Sequence, residues 1–470
     1  MRSPLVAPRK RSPLAALLAW PTLLVVACAC ACAPRHVIPN DAAKAPAIAL
    51  QTEPDAESAT PRPLSAAETK IVSYIDEHND EAIALLERVV NINSGTLSFD
   101  GVRKVGEVFA EEFRAIGFET RWIPMDTVNR AGHLFAERKG TAGKRVLLIG
   151  HLDTVFEKDN PFQRFERISK DAAKGPGALD MKGGDIAILY ALKALGAAGV
   201  LDGTQIIVAF TGDEESAGDP VELARRDLVE AARRSDAALE FEQGVGGPNS
   251  ATVARRGSTS WKLQVRGKPG HSSVIFSNDA GAGAIYEASR ILHTFYDELR
   301  GEKYLTFNAG LIVGGNIADE QRGQAAASGK SNIIAQTASV TGDLRTLTME
   351  QLERTKERMR AIVKKNLPQT SAEIVFEDGY PPMAPTEGNF ALLRELQGVS
   401  RDLGFGPVDV IDPGKRGAAD VSFVAPFVAS LAGLGPSGDG SHAPGETVDL
   451  TSLPLVTKRA ALLIHRLTRP

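Results

Sequence analysis

Short apolar runs alternate along the chain with longer segments whose apolar residues recur at helical spacing. Residues 146–149 (Val-Leu-Leu-Ile) and 205–210 (Gln-Ile-Ile-Val-Ala-Phe) are two such runs, and they are typical of buried parallel strands. Residues 71–92 and 182–195 carry the helical spacing instead. This alternation predicts an α/β fold for residues 66–253.

The middle of the chain has a different pattern. Strands and helices are predicted in the order β-α-β-β-α-β, at residues 260–265, 280–299, 304–313, 333–344, 349–367 and 372–376. That order is typical of a small ferredoxin-like α+β domain. Because the helix–strand pattern resumes at residue 384, we expect residues 254–383 to be inserted into a first domain that residues 384–470 complete.

Histidine and carboxylate side chains follow several of the apolar runs. His151 and Asp153 come directly after the run 146–149, and side chains two residues apart in an extended chain point the same way. Asp153 is therefore placed to orient the His151 ring, as a metal-bound histidine requires. Glu214 and Glu215 follow the run 205–210; we assign Glu215 as a metal ligand and Glu214 as a general base.

The remaining candidates lie in loops and at one further strand end. They are Asp180, one of Glu240 and Glu242, and His442. Each candidate alone has an ordinary structural explanation, such as a polar turn, a helix cap, a solvated acidic turn or a surface histidine. Their joint occurrence in one α/β pattern favours a two-metal hydrolase centre, because zinc readily takes this mixture of nitrogen and oxygen ligands.

Together these segments resemble the M20 family of di-zinc metallopeptidases, most closely its glutamate carboxypeptidase branch. The matching stretches are GHLDTV, GPGALDMKGG, FTGDEESAG, DAALEFE, RGKPGHSS and GDGSHAPGE, and the resemblance covers roughly residues 70–468. It implies a zinc-peptidase-like α/β/α catalytic domain with an inserted domain that acts as a lid and mediates dimerisation. We therefore expect a homodimer formed through residues 254–383.

The resemblance also implies a role for each candidate in a site with two Zn²⁺ per subunit. One zinc would be bound by His151 and Glu242, and the other by Glu215 and His442. Asp180 would bridge both zinc ions. Asp153 would orient His151, and Glu214 would act as the acid and base. Glu242 is favoured over Glu240 because its offset from Asp236 matches the family spacing, although the choice stays open. Cobalt or manganese would suit these ligands nearly as well as zinc.

Three residues of the inserted domain match further positions of the family. His271 matches a histidine that helps to stabilise the oxyanion, often from the partner subunit, and Asn332 and Arg345 match positions associated with the free carboxylate of the substrate. The alternatives are a surface hairpin residue for His271 and an exposed strand-end charge for Arg345. The chain departs from the family at residues 415–420 (KRGAAD), where family members often carry Gly-Gly-x-x-Asp.

The length and composition of the chain agree with an enzyme of two domains, and they exclude few other classes of protein. The chain has 470 residues, which is too long for one compact core, and 43% of them are hydrophobic. The net charge of −4 gives no basic excess, so no nucleic-acid partner is expected.

Residues 1–33 are predicted to be a targeting segment. A basic region precedes an apolar stretch at 14–27 that is short for a membrane span. Two interpretations compete, cleavage by signal peptidase, for example after Ala33, and lipidation of Cys28; an uncleaved anchor is a third. Residues 34–65 are predicted to form a flexible linker. We expect an exported protein of the periplasm or cell envelope, possessing a lipid anchor if Cys28 is modified.

Three functions are consistent with these observations. The first is a zinc carboxypeptidase acting on small peptides or N-acyl amino acids that carry a free carboxylate, with preference for glutamate open. The second is an aminoacylase or amidohydrolase of the same fold acting on a non-peptide amide. The third is a non-catalytic binding protein, which the complete set of ligands and base argues against.

Overall fold

The computed structural model describes residues 60–321 and 323–469. Within these ranges the helices are α1 (Ala66–Glu77), α2 (Asn79–Val90), α3 (Phe99–Ala115), α4 (Lys182–Ala197), α5 (Val221–Ala224), α6 (Arg226–Arg233), α7 (Ala284–Leu299), α8 (Met349–Val363), α9 (Glu387–Asp402), α10 (Val421–Val424) and α11 (Ser452–Leu467). The predictions for residues 1–33, for Cys28 and for most of the linker 34–65 lie outside the described residues. No helix in the described ranges is long and apolar enough to span a membrane.

The strands are short in the loops and longer in the two main sheets. They are β1 (Glu119–Met125), β2 (Arg130–Arg138), β3 (Ala142–His151), β4 (Glu166–Arg167), β5 (Ala172–Lys174), β6 (Thr204–Thr211), β7 (Ala237–Glu240), β8 (Ser250–Ala251), β9 (Thr259–Gly267), β10 (Thr306–Gly315), β11 (Ile317–Gln321), β12 (Gln324–Ser328), β13 (Thr337–Arg345), β14 (Thr370–Asp378), β15 (Asp409–Val410), β16 (Ser430–Leu431), β17 (Gly438–Asp439) and β18 (Thr447–Asp449).

A six-stranded sheet in the order β1-β2-β6-β3-β7-β16 forms the centre of the catalytic part. Strands β6, β3, β7 and β16 are parallel to one another, and β1 and β2 join antiparallel at one edge. Alternate residues of β3 enter different cores. Val146 and Leu148 pack with α1 to α4 and α11 on one face, and Leu147 and Ile149 pack with α6 and α10 on the other. The sheet is therefore covered on both faces, which confirms the predicted α/β/α class.

The inserted unit is a four-stranded antiparallel sheet in the order β10-β13-β9-β14. Helices α7 and α8 pack on it around a separate apolar core that includes Trp261, Leu263, Phe295 and Met359. Its strands and helices follow in the predicted β-α-β-β-α-β order, with the β11–β12 hairpin added between β10 and β13. An inserted α+β unit is thus present.

Element boundaries differ from the predictions in places. The segment 71–92 forms two helices instead of one, because the backbone leaves helical geometry at His78, with φ −109° and ψ 14°. The helix expected from residue 280 begins at Ala284, since Gly281 and Gly283 adopt positive φ angles that end the preceding loop. The first helix begins at Ala66, where Ser65 and Glu68 form a capping box.

Candidate metal centre

The ends of three neighbouring parallel strands carry most of the predicted site residues. Strand β3 ends at His151, which is paired in register with Thr211 at the end of β6, and β7 runs along the other side of β3. Glu214 and Glu215 follow β6, and Glu242 follows β7. Because the carboxyl ends of parallel strands share one edge of the sheet, these side chains converge there.

A smaller sheet brings Asp180 and His442 to the same edge. In this sheet β18 pairs with β17 on one side and with β5 on the other. His442 lies in the turn between β17 and β18, and the loop after β5 leads to Asp180. Glu446 of the same turn fixes this loop, because one of its carboxylate oxygens accepts hydrogen bonds from the backbone N–H groups of Leu179 and Asp180.

Four of the five predicted ligands and Glu214 form two overlapping groups, and His442 lies next to one of them. His151, Asp180 and Glu215 each offer one ligand atom, and these atoms lie within 4.8 Å of one another; His151, Glu214 and Glu242 do the same. His442 Nε2 lies 3.2 Å from Asp180 Oδ2 and 3.1 Å from Glu215 Oε2. This donor set of imidazole nitrogens and carboxylate oxygens fits two divalent cations of the zinc type.

Asp180 lies between the two histidines. Its Oδ1 is 3.3 Å from His151 Nε2, and its Oδ2 faces His442. The two carboxylate oxygens therefore point to different nitrogen ligands, which is the arrangement a bridging aspartate needs.

Asp153 supports both His151 and the acidic pair. Its Oδ1 lies 3.5 Å from His151 Nδ1 and accepts a hydrogen bond from the backbone N–H of Glu214 at 3.0 Å. Its Oδ2 accepts from the backbone N–H of Glu215 and from the Thr96 hydroxyl. One buried carboxylate thus orients an imidazole and the loop that carries the proposed base.

Several ionisable side chains of the cluster have shifted pKa values. Hydrogen bonds to Asp180 and Glu215 raise the pKa of His442 to about 11. Burial raises the pKa of Glu215 to about 7, and burial together with the charge of Glu242 raises that of Glu214 well above its ordinary value. Burial opposes a charge on Asp180, but its hydrogen bonds to both histidines lower its pKa. Metal binding must displace such protons.

Glu240 and Glu242 have different environments. Arg255 Nη2 contacts both carboxylates, but only Glu242 belongs to one of the two ligand groups. Glu240 instead accepts a hydrogen bond from the backbone N–H of Val421. Burial raises the pKa of Glu240 to about 7. The geometry therefore favours Glu242 as the ligand and Glu240 as its buried neighbour.

A buried cluster centred on Arg225 holds the loop of Glu214 and Glu215. The Arg225 guanidinium donates from Nε to Asp420 and from Nη1 to Asp213, both at 2.6 Å, and from Nη2 to the Tyr380 hydroxyl at 3.1 Å. The Tyr380 hydroxyl in turn donates to the backbone carbonyl of Glu214 at 2.7 Å. Nothing in the sequence pattern singled out Arg225, since its run with Arg226 and Asp227 is typical of an exposed helix.

His271, Asn332 and Arg345 lie on the inserted unit. His271 forms an isolated β-bridge with Ile333, and the backbone carbonyl of Asn332 accepts a hydrogen bond from Ser272, so the first two are near each other. Arg345 pairs with Asp343 at 2.9 Å. Throughout residues 60–321 and 323–469, no hydrogen bond or ion pair joins these three side chains to the carboxylate–histidine cluster.

Comparison with known sequences agrees with this geometry. Residues 147–466 match the model of peptidase family M20/M25/M40. The chain is 28% identical to carboxypeptidase G2 of Pseudomonas sp. over 389 residues, covering 81% of this chain and 88% of that protein. It is 26% identical to succinyl-diaminopimelate desuccinylase of Alkalilimnicola ehrlichii over 376 residues, covering 77% and 93%.

Solved structures share the fold at low sequence identity. Aminopeptidase PepT of Bacillus cereus aligns with a TM-score of 0.67 at 17% identity, covering 83% of this chain and 99% of that one. YXEP of Bacillus subtilis, described as a dinuclear metal binding peptidase from the M20 family, aligns with a TM-score of 0.60 at 16% identity, covering 84% and 99%. With a family match over more than half of its length, the chain belongs to peptidase family M20/M25/M40 and is a hydrolase of that family.

Proposed function

We propose that this protein is a metallo-carboxypeptidase with two zinc ions per subunit, which hydrolyses an amide bond in small peptides or N-acyl amino acids that carry a free carboxylate. The observation that carries the proposal is the position of Asp180 between His151 and His442, with Glu214 in the adjoining ligand group. Glu214 is half-buried beside these ligands, and no ion pair of its carboxylate is found among the described residues; a binding protein would not need such a group.

The chemistry is divided between the metals and the side chains around them. Bound zinc would lower the pKa of water and polarise the scissile carbonyl. Glu214 accepts the proton of the attacking water and passes it to the leaving amine. Burial raises the pKa of Glu214, which favours its holding the proton between the two transfers. Asp153 keeps the Glu214 backbone and the His151 ring in place meanwhile.

The inserted unit supplies the remaining roles in this proposal. His271 stabilises the developing oxyanion. Arg345 and Asn332 bind the free carboxylate, for which a guanidinium has suitable bidentate geometry. Since no hydrogen bond or ion pair joins these side chains to the cluster within the described residues, their roles require closure of the inserted unit or a second subunit. A homodimer through this unit is therefore part of the proposal.

The second candidate is an amidohydrolase of the same fold acting on an N-acyl compound other than a peptide. The desuccinylase relative favours it, because the name of that enzyme describes removal of an acyl group. The proposal also includes export to the periplasm or cell envelope through residues 1–33, with cleavage there or lipidation of Cys28. This part of the proposal is based on the sequence alone. Cobalt or manganese in place of zinc stays compatible with the donor set.

A substrate panel separates the two candidates. The zinc-loaded protein is offered dipeptides with C-terminal glutamate or alanine, and the corresponding N-acetyl and N-succinyl amino acids, with Glu214→Gln as the inactive control. Faster hydrolysis of the dipeptides supports the carboxypeptidase, and faster hydrolysis of the N-acyl amino acids supports the amidohydrolase. No hydrolysis of any member by a chain that binds two metals would contradict both.

A further inference from the structure

A buried arginine that is not a proposed ligand lies beside the metal centre. Arg416 is only 7% exposed, and its Nη2 donates to Glu242 Oε2 at 3.0 Å. Its Nε is buried and has no hydrogen-bond partner within the described residues. Because buried donors are nearly always satisfied in folded proteins, this guanidinium has capacity for a further acceptor.

Arg255 and Arg416 contact the neighbouring glutamates in different ways. Arg255 Nη2 already donates to Glu240 Oε2 at 2.9 Å and also contacts Glu242 Oε2. Two guanidinium groups therefore share a single oxygen of Glu242, the residue proposed to bind a metal. When that carboxylate ligates a cation, its capacity to serve both arginines decreases. Arg255 then keeps Glu240 as a partner, whereas no ion pair of Arg416 other than that with Glu242 is found within the described residues.

The position of Arg416 in the chain makes this cation unusual. It lies in the stretch 415–420, where the chain departs from the Gly-Gly-x-x-Asp pattern of the family it resembles. The stretch passes directly beside the centre, because Asp420 pairs with Arg225 and Val421 N–H donates to Glu240. The long cationic side chain of Arg416 therefore contacts Glu242 from a segment in which family members often carry glycine.

We propose that Arg416 is a specificity-determining residue that binds a carboxylate of the substrate, in addition to the free carboxylate assigned to Arg345. The inference rests on the proposed amide hydrolysis at this centre. A guanidinium with free N–H groups in a buried position binds a carboxylate in preference to a neutral amide. The second carboxylate belongs either to the side chain of the amino-acid half or to the acyl half of the substrate.

Two pairs of substrates that differ in charge and little in shape distinguish these sources. N-acetyl-glutamate is compared with N-acetyl-glutamine, and N-succinyl-alanine with N-succinamoyl-alanine. In one pair the unmodified protein is expected to prefer the carboxylate by about tenfold or more in kcat/KM, mainly through KM. Arg416→Met is expected to remove most of that preference, and Arg416→Lys to restore part of it. The control is Lys415→Met, which removes the same charge from the exposed neighbouring residue.

Zinc content measured on the same variants separates recognition from positioning. If Arg416→Met lowers the zinc content and slows both members of each pair equally, Arg416 only positions Glu242 and the proposal is wrong. A charge preference in neither pair, or one that Arg416→Met leaves intact, also overturns it.

Binding measurements keep the test independent of turnover. If no member of either pair is hydrolysed, the proposed function is wrong. Calorimetric titration of the protein with glutarate and with butyrate then tests the role of Arg416. Tighter binding of glutarate that Arg416→Met abolishes supports a second carboxylate site. Equal binding of the two acids contradicts it.

Discussion

Replacing Arg225 with methionine is expected to destabilise the protein and slow its reaction together. The guanidinium is almost fully buried and pairs with Asp213 and Asp420, whose side chains are 0% and 3% exposed. Methionine fills a similar volume but removes the guanidinium that pairs with both buried carboxylates. Removing one partner from a buried pair costs about 3–5 kcal/mol, because the remaining charge has lost both water and its partner.

The effect on catalysis follows from the same contacts. Arg225 holds Asp213 and, through Tyr380, the backbone of Glu214. A displacement of about 1 Å in a reacting group can reduce the rate by about 10²-fold. We therefore expect kcat for hydrolysis of an N-acyl amino acid to fall by at least about tenfold in Arg225→Met.

Chemical unfolding followed by circular dichroism, with chelator present, measures the loss of stability. Arg226→Met is the matched control, since Arg226 is 63% exposed and pairs with Asp227 at the surface; its effect should stay within about 0.5 kcal/mol. Adding Asp420→Asn to Arg225→Met removes one of the two stranded charges, so the double variant should be more stable than Arg225→Met alone. Equal unfolding midpoints for Arg225→Met and Arg226→Met would refute the reasoning.

Three further predictions concern the centre itself. Glu214→Gln should reduce turnover by about 10²–10⁴-fold with zinc content unchanged, whereas loss of zinc as well would make Glu214 a ligand. Because the pKa of His442 is raised to about 11, the metal-free chain carries a proton there at neutral pH. Zinc titrations in buffers of different ionisation enthalpy should thus show proton release and weaker binding as pH falls; an affinity independent of pH would contradict this. Tyr380→Phe removes the hydrogen bond to the backbone of Glu214. It should lower the free energy of unfolding by about 0.5–1.5 kcal/mol and lower kcat more than it changes KM. An unchanged kcat would show that this contact does not position the base.

The layer architecture could be predicted from sequence because its cause is local. Continuous apolar runs such as 146–149 are buried on both faces of a sheet, and the residues that follow them must meet at its carboxyl edge. The same argument brings His151 and Glu215 together without further information. Asp180 and His442 needed the family resemblance, since a small sheet between distant segments, β5 and β18, places them.

The buried ion pairs could not be predicted in this way. Arg225 and Asp420 are 195 residues apart, and Arg416 and Glu242 are 174 apart. A charged residue next to other charged residues normally indicates an exposed surface, so periodicity assigns these arginines to solvent. Their burial follows from the tertiary contact of the segment 415–421 with the strand ends.

The measurement that tests the two-metal centre most directly is a titration of the chelated protein with zinc, with the hydrolysis of an N-acyl amino acid and bound zinc followed together. We predict that chelation abolishes hydrolysis, that two zinc ions bind per chain, and that activity returns as they bind. Hydrolysis that persists in chelator, or a chain that binds no zinc, would contradict it.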